Sequence, residues 1–513
     1  MSMVVQHNMQ AANANRMLGI TSGAQAKSTE KLSSGYKINR AADDAAGLTI
    51  SEKMRKQIRG LDKASSNAQD GVSSVQTAEG ALTEVHSMLQ RMNELAVQSS
   101  NGTNSSDDRQ AIQDEVDQLT TEIDRVAETT KFNEIYLLKG DDSSTKNVYM
   151  NAHDAGLKGT LADGAKSATF TMDELKTGDS VKIAGKQYTI GASKADVGAA
   201  LDKKLLIVPT TAGEYTSGAT FSVNNETYTI TTKADKSIEK ITNSAGQTAY
   251  EDGGAIKWAS TVPTGKNAIT DVKELVNEGD TVKVDDTTMK VMTAADVTAG
   301  VDSDDSSIIT KAQAEKMIKE ELTAANNIGT TDKKATVAAG VTADGKTTYA
   351  ITKGYATVAN TLSFNLHVGA DADMTNKITV DIDTMNSSNL GIKGINVKDA
   401  TGTAATYAID AIADAVAKVS SQRSALGAVQ NRLEHTIDNL DNISENTSSA
   451  ESRIRDTDMA KEMVNYSKNN ILAQAGQSLC LHRQISLIRV YFLCYSKSKY
   501  DHYKSKGILR SPF

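Results

Sequence analysis

The sequence predicts a mainly α protein, in which both chain ends form a long antiparallel coiled-coil bundle and a β-rich central domain is inserted between them. Three observations lead to this fold class. Apolar residues recur at steps of three and four along both ends, residues 140–404 instead contain short alternating runs, and the 513 residues include only 3 prolines. Because proline breaks helices, its scarcity permits very long ones.

The N-terminal part carries an uninterrupted heptad seam that predicts one long helix followed by a second. A seam of this length corresponds to about 54 Å of helix at about 1.5 Å per residue. Residues 101–106 end it, and Asp107 with Gln110 matches a capping box that would start the second helix. The first seam consists of Leu61, Ala64, Ala68, Gly71, Val75, Ala78, Leu82, Val85, Leu89, Met92 and Ala96, and the second helix presents Ile112, Val116, Leu119, Ile123 and Val126.

The C-terminal part mirrors this pattern with a seam that is interrupted at Arg423 and Gln430. Seams separated by so much sequence predict that the two chain ends pack against each other, and three unrelated amphipathic helices are the alternative. The C-terminal seam consists of Ile409, Ile412, Val416, Val419, Leu426, Leu433, Ile437 and Leu440. We expect the core seam of the bundle to comprise Leu61, Val75, Leu82, Val85, Leu89, Met92, Leu426, Leu433, Ile437 and Leu440.

The central residues are rich in Thr, Ala, Asp, Gly and Lys, and their alternating apolar positions predict β-hairpins. Residues 220–230 and 377–382 are examples. A weak repeat is also present, because residues 178–183 return as 279–284 and residues 195–197 return as 295–297. This indicates a duplicated module made of a hairpin and a helix.

The sequence predicts no enzyme, no cofactor and no metal site. Residues 340–347 match the phosphate-binding pattern G-x-x-x-x-G-K-[ST], but residues 348–352 resemble a strand where that site needs a helix. The dipeptide Asp344-Gly345 favours a hairpin turn instead. The histidines are too far apart for a helical metal pair, and the only cysteines are Cys480 and Cys494.

Charge and hydropathy narrow the class of protein further. A net charge of −8 is not the basic footprint of a nucleic-acid binder, and no apolar run is long enough to span a membrane. The first residues also lack the pattern of a cleaved secretory signal. These features alone predict a cytoplasmic protein.

Several segments at the two ends resemble bacterial flagellins. They are residues 32–39 (LSSGYKIN), 43–47 (DDAAG), 64–71 (ASSNAQDG), 77–82 (TAEGAL), 89–98 (LQRMNELAVQ), 424–433 (SALGAVQNRL) and 450–460 (AESRIRDTDMA). The resemblance covers about residues 1–139 and 405–478. It implies a structural subunit that polymerises into the flagellar filament for motility and has no enzymatic activity.

The same resemblance implies a domain organisation and a location. Residues 1–35 and 451–478 correspond to inner-core helices, the second of them truncated, and residues 36–139 and 405–450 correspond to the two halves of the helical core. Residues 140–404 correspond to the variable, exposed domain. The resemblance implies secretion through the type III export apparatus of the flagellum, which uses no cleaved signal, and a final place in the extracellular flagellum. The implied partners are other flagellin subunits, an export chaperone, the filament cap and hook-associated proteins.

The resemblance also implies that the chain is a ligand of Toll-like receptor 5, an innate immune receptor that binds the helical segment with the motif LQR…ELAVQ. The implied contacts are Arg91, Leu95, Gln98, Glu115 and Gln118. The alternative interpretation is that these are ordinary exposed polar positions beside the core seam.

The composition changes abruptly after Ser478. Residues 479–513 contain both cysteines, six aromatic residues, and seven Lys or Arg against one Asp, whereas flagellins end in an amphipathic stretch. Permitted codons for residues 479–497 can be chosen so that the frame two bases later spells MLAQANQSNQGVLSLLQ and then stops, which resembles a flagellin ending. We interpret the tail as a frameshift product, and a basic, aromatic membrane-binding tail is the alternative.

Two other functions compete with the filament subunit. A hook–filament junction protein has similar terminal helices, but the long flagellin-type match at the N-terminus disfavours it. A secreted adhesin that acts through the variable domain needs no recognisable motif and stays open.

Overall fold

A computed structural model describes residues 9–206, 214–399 and 401–478, together with Leu481, Phe492 and Tyr495. The interpretation of residues 479–513 as a frameshifted tail therefore lies outside the described residues, apart from those three. No helix in the described ranges is long and apolar enough to cross a membrane.

Long helices occupy both ends of the chain. The helices are α1 (Met9–Ser34), α2 (Ala45–Ser99), α3 (Ser106–Thr129), α4 (Lys194–Leu205), α5 (Ala294–Ala299), α6 (Lys311–Asn326), α7 (Ser387–Leu390) and α8 (Thr403–Arg455), and residues 459–478 are also helical. Short 3-10 helices cover Val272–Leu275 and Met374–Asn376.

The strands lie in the middle of the chain. They are β1 (Lys131–Phe132), β2 (Ile135–Tyr136), β3 (Asp141–Tyr149), β4 (Thr160–Asp163), β5 (Ser167–Asp173), β6 (Ser180–Ile183), β7 (Lys186–Gly191), β8 (Thr220–Val223), β9 (Glu226–Thr232), β10 (Ile238–Asn243), β11 (Thr248–Asp252), β12 (Ala255–Ala259), β13 (Thr281–Val284), β14 (Thr287–Lys290), β15 (Ile308–Thr310), β16 (Thr336–Val337), β17 (Val341–Ala343), β18 (Lys346–Thr352), β19 (Tyr355–Asn360), β20 (Leu362–His367) and β21 (Lys377–Ile382). Helical ends around a β-rich centre confirm the predicted fold class.

The strands form several small sheets. The largest has seven strands in the order β12-β11-β10-β9-β8-β13-β14, and a second has the order β16-β18-β5-β4, with β17 also paired to β18. A third sheet has the order β15-β7-β6, in which β15 and β7 run parallel. The pairs β1-β2, β19-β3 and β20-β21 complete the described strands.

The chain divides into two compact units. The first comprises residues up to 72, residues 365–378 and residues from 430 onwards, and the second comprises residues 73–364 and 379–429. Helices α2 and α8 each contribute to both units. Each unit therefore combines segments that are distant in sequence.

In the first unit, α2 and α8 pack side by side in antiparallel directions. The hydroxyl of Ser65 donates to Asp441 at 3.0 Å, and the hydroxyl of Ser444 donates to Asp62 at 2.8 Å. Because the partner in α8 moves towards the N-terminus as the residue in α2 moves towards the C-terminus, the two helices are antiparallel. This agrees with the bundle that the seams predict.

Backbone hydrogen bonds between residues 35–37 and 455–457 connect α1 to this helical pair. The amide of Lys37 donates to the carbonyl of Arg455 at 2.6 Å, and the amide of Thr457 donates to the carbonyl of Gly35 at 3.0 Å. The guanidinium of Arg455 also lies 4.8 Å from the centre of the Tyr36 ring, a cation–π contact. These contacts fix the points from which α1 and the 459–478 helix leave the pair.

The core seam residues are buried in their respective units, with one exception. Ile437 is half-buried rather than buried. The buried members are Leu61, Val75, Leu82, Val85, Leu89, Met92, Leu426, Leu433 and Leu440.

In the second unit, the two copies of the repeat have the same local structure. The first copy consists of the hairpin β6-β7 followed by α4, and the second consists of the hairpin β13-β14 followed by α5. Serine or threonine caps both helices, because Ser193 accepts from the amide of Asp196 and Thr293 accepts from the amide of Asp296. The repeat in sequence therefore corresponds to a repeated supersecondary module.

The start of α3 differs from the prediction. The capping box consists of Ser105 and Asp108, with Asp108 N to Ser105 Oγ at 3.2 Å and Ser105 N to Asp108 Oδ2 at 3.0 Å. The prediction of Asp107 and Gln110 is therefore wrong by two residues. With the earlier cap, both Asp107 and Asp108 lie in the first turn, where the helix dipole favours carboxylates.

The segment that matches the phosphate-binding pattern is a hairpin. Strands β17 and β18 pair in antiparallel fashion, and the two residues between them, Asp344 and Gly345, have φ angles of 51° and 71°. Positive φ at both central positions is typical of a type I′ turn. The prediction of a hairpin turn is confirmed.

Candidate assembly and receptor surfaces

The turn between α2 and α3 is held by a buried arginine. Arg109, in the first turns of α3, donates from Nε to the carbonyl of Ser99 and from Nη2 to the carbonyl of Asn101, both at 3.2 Å. The last carbonyls of a helix have no partner within the helix, so these bonds satisfy the end of α2. They also fix the angle at which α3 leaves α2.

A buried glutamine connects α3 to the segment that leads into α8. The Gln113 side chain donates to the carbonyl of Ile395 at 2.8 Å and accepts from the amide of Val397 at 2.7 Å. Ser99, at the end of α2, donates its hydroxyl to the carbonyl of Val397. The backbone of residues 395–397 is thus paired with side chains of both helices. Because this segment belongs to no sheet, its buried backbone groups need such side-chain partners.

A carboxylate fixes the other end of α3. Asp124 accepts from both the amide and the hydroxyl of Ser387, at 2.7 and 2.8 Å. Together with Arg109 and Gln113, it makes α3 a rigid neighbour of the second half of α2. Sequence reasoning missed these three residues, and the available signal was a polar side chain within or beside the apolar face of α3.

Arg91 and Glu115 form an exposed ion pair across α2 and α3. Arg91 Nε lies 2.9 Å from Glu115 Oε1, and Arg91 Nη1 lies 3.2 Å from Glu94 Oε2. The hydrogen bonds to Glu115 and Glu94 raise the pKa of Arg91 above its usual value. The pair is exposed, so it orients the guanidinium on the surface and contributes little to stability.

The other residues of the predicted receptor surface divide by burial. Gln98 and Gln118 are exposed. Leu95 is only 2% exposed and belongs to the core of the unit. Leu95 therefore supports the surface from beneath in the isolated chain, while Arg91 and Glu115 form part of it.

The terminal helices differ from α2 and α8 because their apolar side chains are exposed. In α1, Met17 and Ile20 are 56% and 60% exposed. In the 459–478 helix, Val464 and Ile471 are 67% and 66% exposed, and with Met463 and Leu472 they line an open groove. Monomeric proteins rarely expose contiguous apolar faces of this kind, which mark interaction surfaces.

The two terminal helices approach each other where Gly476 faces Leu18. A Cβ atom at Gly476 would lie 3.2 Å from Leu18 Cδ1, so the glycine allows the helices to come close. Even so, the contact leaves most of the apolar side chains named above uncovered. In the described ranges, no group of His, Cys, Asp or Glu residues could hold a metal ion.

The paired helices α2 and α8, together with terminal helices whose apolar side chains are uncovered, define a class of structural subunit that associates with other chains. Two family models match this chain. The bacterial flagellin N-terminal helical region matches residues 5–143, and the bacterial flagellin C-terminal helical region matches residues 409–486.

Flagellins from other bacteria match this sequence along nearly the whole chain. A flagellin of Clostridium tyrobutyricum is 38% identical over 480 residues, which cover 93% of this chain and 98% of that protein. Flagellin B of Vibrio anguillarum is 32% identical over 479 residues, covering 93% and 96% of the two chains. The solved structure of FliC from Burkholderia pseudomallei covers 71% of this chain and 99% of its own, with 17% identity and a TM-score of 0.26. A TM-score this low does not establish a shared fold, so the family follows from the sequence relatives.

The chain belongs to the bacterial flagellin family. Flagellins are structural proteins that form the extracellular flagellar filament, and this chain is a subunit of that kind.

Proposed function

We propose that this chain polymerises with copies of itself through the exposed apolar faces of α1 and the 459–478 helix. The observation that carries the proposal is the exposure of Ile20, Val464 and Ile471 in helices that otherwise have few buried residues. Burying a side chain of this size contributes about 1.5–3 kcal/mol. Most of the stability of a helix in a protein comes from packing of its apolar face, so neighbouring subunits would stabilise both helices as they cover these faces.

Assembly can be tested with a double substitution on the exposed face. V464S/I471S removes two exposed apolar groups, and Q474S is the control, because Gln474 is an exposed polar residue of the same helix. The substitutions are placed both in the 513-residue chain and in a chain with the ending MLAQANQSNQGVLSLLQ after Ser478. In the chain with this ending, we expect V464S/I471S to reduce the sedimentable polymer by at least about tenfold, while Q474S has no effect. Equal polymer yields for the two variants would contradict assembly through this face.

We also propose that the chain follows the pathway by which flagella are assembled. A subunit with uncovered apolar helices needs a chaperone before export and a cap during assembly, because these faces would otherwise aggregate. Export through the type III apparatus and attachment to hook-associated proteins complete this proposed route. Co-purification of the chain with a chaperone of the same organism, lost in V464S/I471S, is the corresponding measurement.

We further propose that the surface formed by α2 and α3 is a ligand for Toll-like receptor 5. The supporting observation is that Arg91, paired with Glu115, is presented on a rigid part of the helical core. Gln98 and Gln118 lie exposed on the same two helices. Arginine at the centre of an interface is a frequent source of binding energy.

The receptor surface is tested by comparing two ion-paired arginines. R91A removes the predicted contact, and R125A is the matched control, because Arg125 is also exposed and pairs with a glutamate, Glu122. We expect R91A to weaken binding of the purified monomer to the receptor by about 2 kcal/mol, and R125A by much less. Equal affinity of the two variants would reject the surface.

The Leu95→Ala variant shows whether Leu95 contacts the receptor directly or only stabilises the helical core beneath the receptor surface. Because Leu95 is buried, its truncation should lower the free energy of unfolding by about 2–5 kcal/mol. Any loss of receptor binding in this variant should accompany that loss of stability, which urea unfolding measures.

A further inference from the structure

A crevice in the second unit lies at the carboxyl ends of two parallel strands. Strands β7 and β15 are parallel neighbours, with Thr189 beside Ile308 and Gly191 beside Thr310. Helix α4 begins at Lys194, shortly after β7, and helix α6 begins at Lys311, directly after β15. The crevice beside these strand ends has a volume of about 1030 Å³. This is the position where ligands bind in α/β structures, and the volume is at the upper end for small-molecule sites.

The lining of the crevice includes residues of two hydrophobic cores of the unit or residues packed against them. One core contains Ile190, Ile309 and residues of α6, and the other contains Val197, Leu201 and residues of the seven-stranded sheet. Apolar side chains therefore form part of its lining, among them Leu175, Ile190, Ala200 and Val297. No aromatic side chain lines it in the described part of the chain.

Positive charge surrounds this apolar lining. Lys176, Lys203, Lys204 and Lys311 line the crevice, whereas Glu174 and Asp196 are its two acidic residues. The carboxylate of Asp196 already accepts from the Ser193 hydroxyl at 2.6 Å, and Glu174 accepts from Lys311 at 2.9 Å. The lysines outnumber the carboxylates, so the crevice is cationic.

Two of these lysines have no partner in the described residues. The ammonium of Lys204 donates to the hydroxyl of Thr287, but the ammonium groups of Lys176 and Lys203 make no hydrogen bond or ion pair there. The charges of both lysines nevertheless act on Glu174. The hydrogen bond from Lys311, followed by the charges of Lys311, Lys176 and Lys203, lowers the pKa of Glu174.

We propose that this crevice binds a small amphipathic anion, whose apolar body lies on Leu175, Ile190 and Val297 and whose carboxylate meets Lys176 and Lys203. The lysine ammonium is a compact point charge on a flexible stem, so two of them can meet a single carboxylate. The alkyl-rich lining suits an aliphatic chain. The absence of an aromatic platform in the described lining disfavours nucleotides and other ligands that bind by stacking. Every residue that forms the site belongs to the second unit, whereas the apolar faces proposed for filament assembly belong to the first.

The probe is decanoate, titrated into the full chain by calorimetry below the concentration at which it forms micelles. Inorganic phosphate tests for a simple anion site, and decyltrimethylammonium tests for binding by the alkyl chain alone. We expect one saturable site for decanoate and weaker binding of both other probes. Equal binding of phosphate, or of the cationic probe, would overturn the proposal, and so would the absence of decanoate binding.

Two variants locate the site. K176Q/K203Q should weaken decanoate binding by at least about tenfold, because both charge-assisted contacts to the carboxylate are lost. The control K240Q/K283Q removes two exposed lysines that do not line the crevice and should change nothing. Ala200→Phe should block the crevice while all four lysines remain. Identical affinities in K176Q/K203Q and in its control would exclude this crevice, even if Ala200→Phe failed to fold.

Discussion

Arg423 Nη2 lies 3.2 Å from Glu79 Oε1, and this ion pair joins α8 to α2 where the apolar seam of α8 is interrupted. The side chains are 32% and 43% exposed, so the pair sits at the edge of the helical interface. At Arg423, the interruption of the heptad pattern is therefore a polar contact between the two chain ends. Such pairs select register and orientation more than they add stability.

A double-mutant cycle of Glu79→Gln and Arg423→Gln should give a coupling energy of about 0.2–1 kcal/mol. Urea unfolding at low and high salt measures it, and high salt should reduce it because the pair is partly exposed. The same cycle on Glu122 and Arg125 is the control for a pair within one helix. A coupling that is absent at low salt would show that the pair has no role in joining the helices.

Gln113→Ala should lower the free energy of unfolding by about 1–3 kcal/mol. The substitution leaves the amide of Val397 and the carbonyl of Ile395 buried without their partner. Gln118→Ala, at an exposed position of the same helix, should change it by less than about 0.5 kcal/mol. Chemical denaturation of both variants tests this, and similar stabilities would mean that water replaces the Gln113 side chain.

His153 should make the second unit more stable at mildly acidic pH than at alkaline pH. Its Nε2 lies 3.3 Å from Asp414 Oδ2, within the same unit. Burial lowers the pKa of His153, but the hydrogen bond to Asp414 and the charges of Asp414, Asp410 and Asp154 outweigh it, so the net pKa is raised. A histidine with a raised pKa contributes stability below its unfolded pKa of about 6.5, and this contribution is lost as the pH rises through the folded pKa.

The measurement is the unfolding free energy of the wild type and of His153→Gln between pH 5.5 and 8.5. The advantage of the wild type should shrink as the pH rises across this interval. The control variant is His435→Gln, which replaces an exposed histidine of α8. Parallel curves for the wild type and His153→Gln would contradict the assignment.

The 513-residue chain should polymerise poorly, and the ending MLAQANQSNQGVLSLLQ after Ser478 should restore polymerisation. The restored ending adds apolar residues worth about 1.5–3 kcal/mol each when buried. The present tail instead carries Arg483, Arg489, Lys497 and Lys499, and charges buried without partners are unfavourable by several kcal/mol each. Seeded polymerisation of both chains, followed by sedimentation and electron microscopy, gives the comparison. Equal filament yields would show that the tail is tolerated.

The sequence by itself determined the long helices and their contacting faces. The step of three and four residues places Leu82, Leu89 and Leu433 on apolar faces, and burial of these side chains needs no further information than the periodicity. The turn at Asp344-Gly345 was equally local, because the two residues favour positive φ without any tertiary contact. The resemblance in the end segments, rather than periodicity, led to the family.

Only the tertiary structure decided which polar residues hold these elements together. Gln113 and Asp124 bond to backbone groups that lie more than 250 residues away in sequence, and a helical pattern carries no signal for such partners. It also decided that Leu95 is a core residue while Arg91 is exposed, because tertiary packing determines which side of α2 is covered. The cationic crevice arises in the same way, since β7 and β15 become parallel neighbours only when segments more than 100 residues apart fold together.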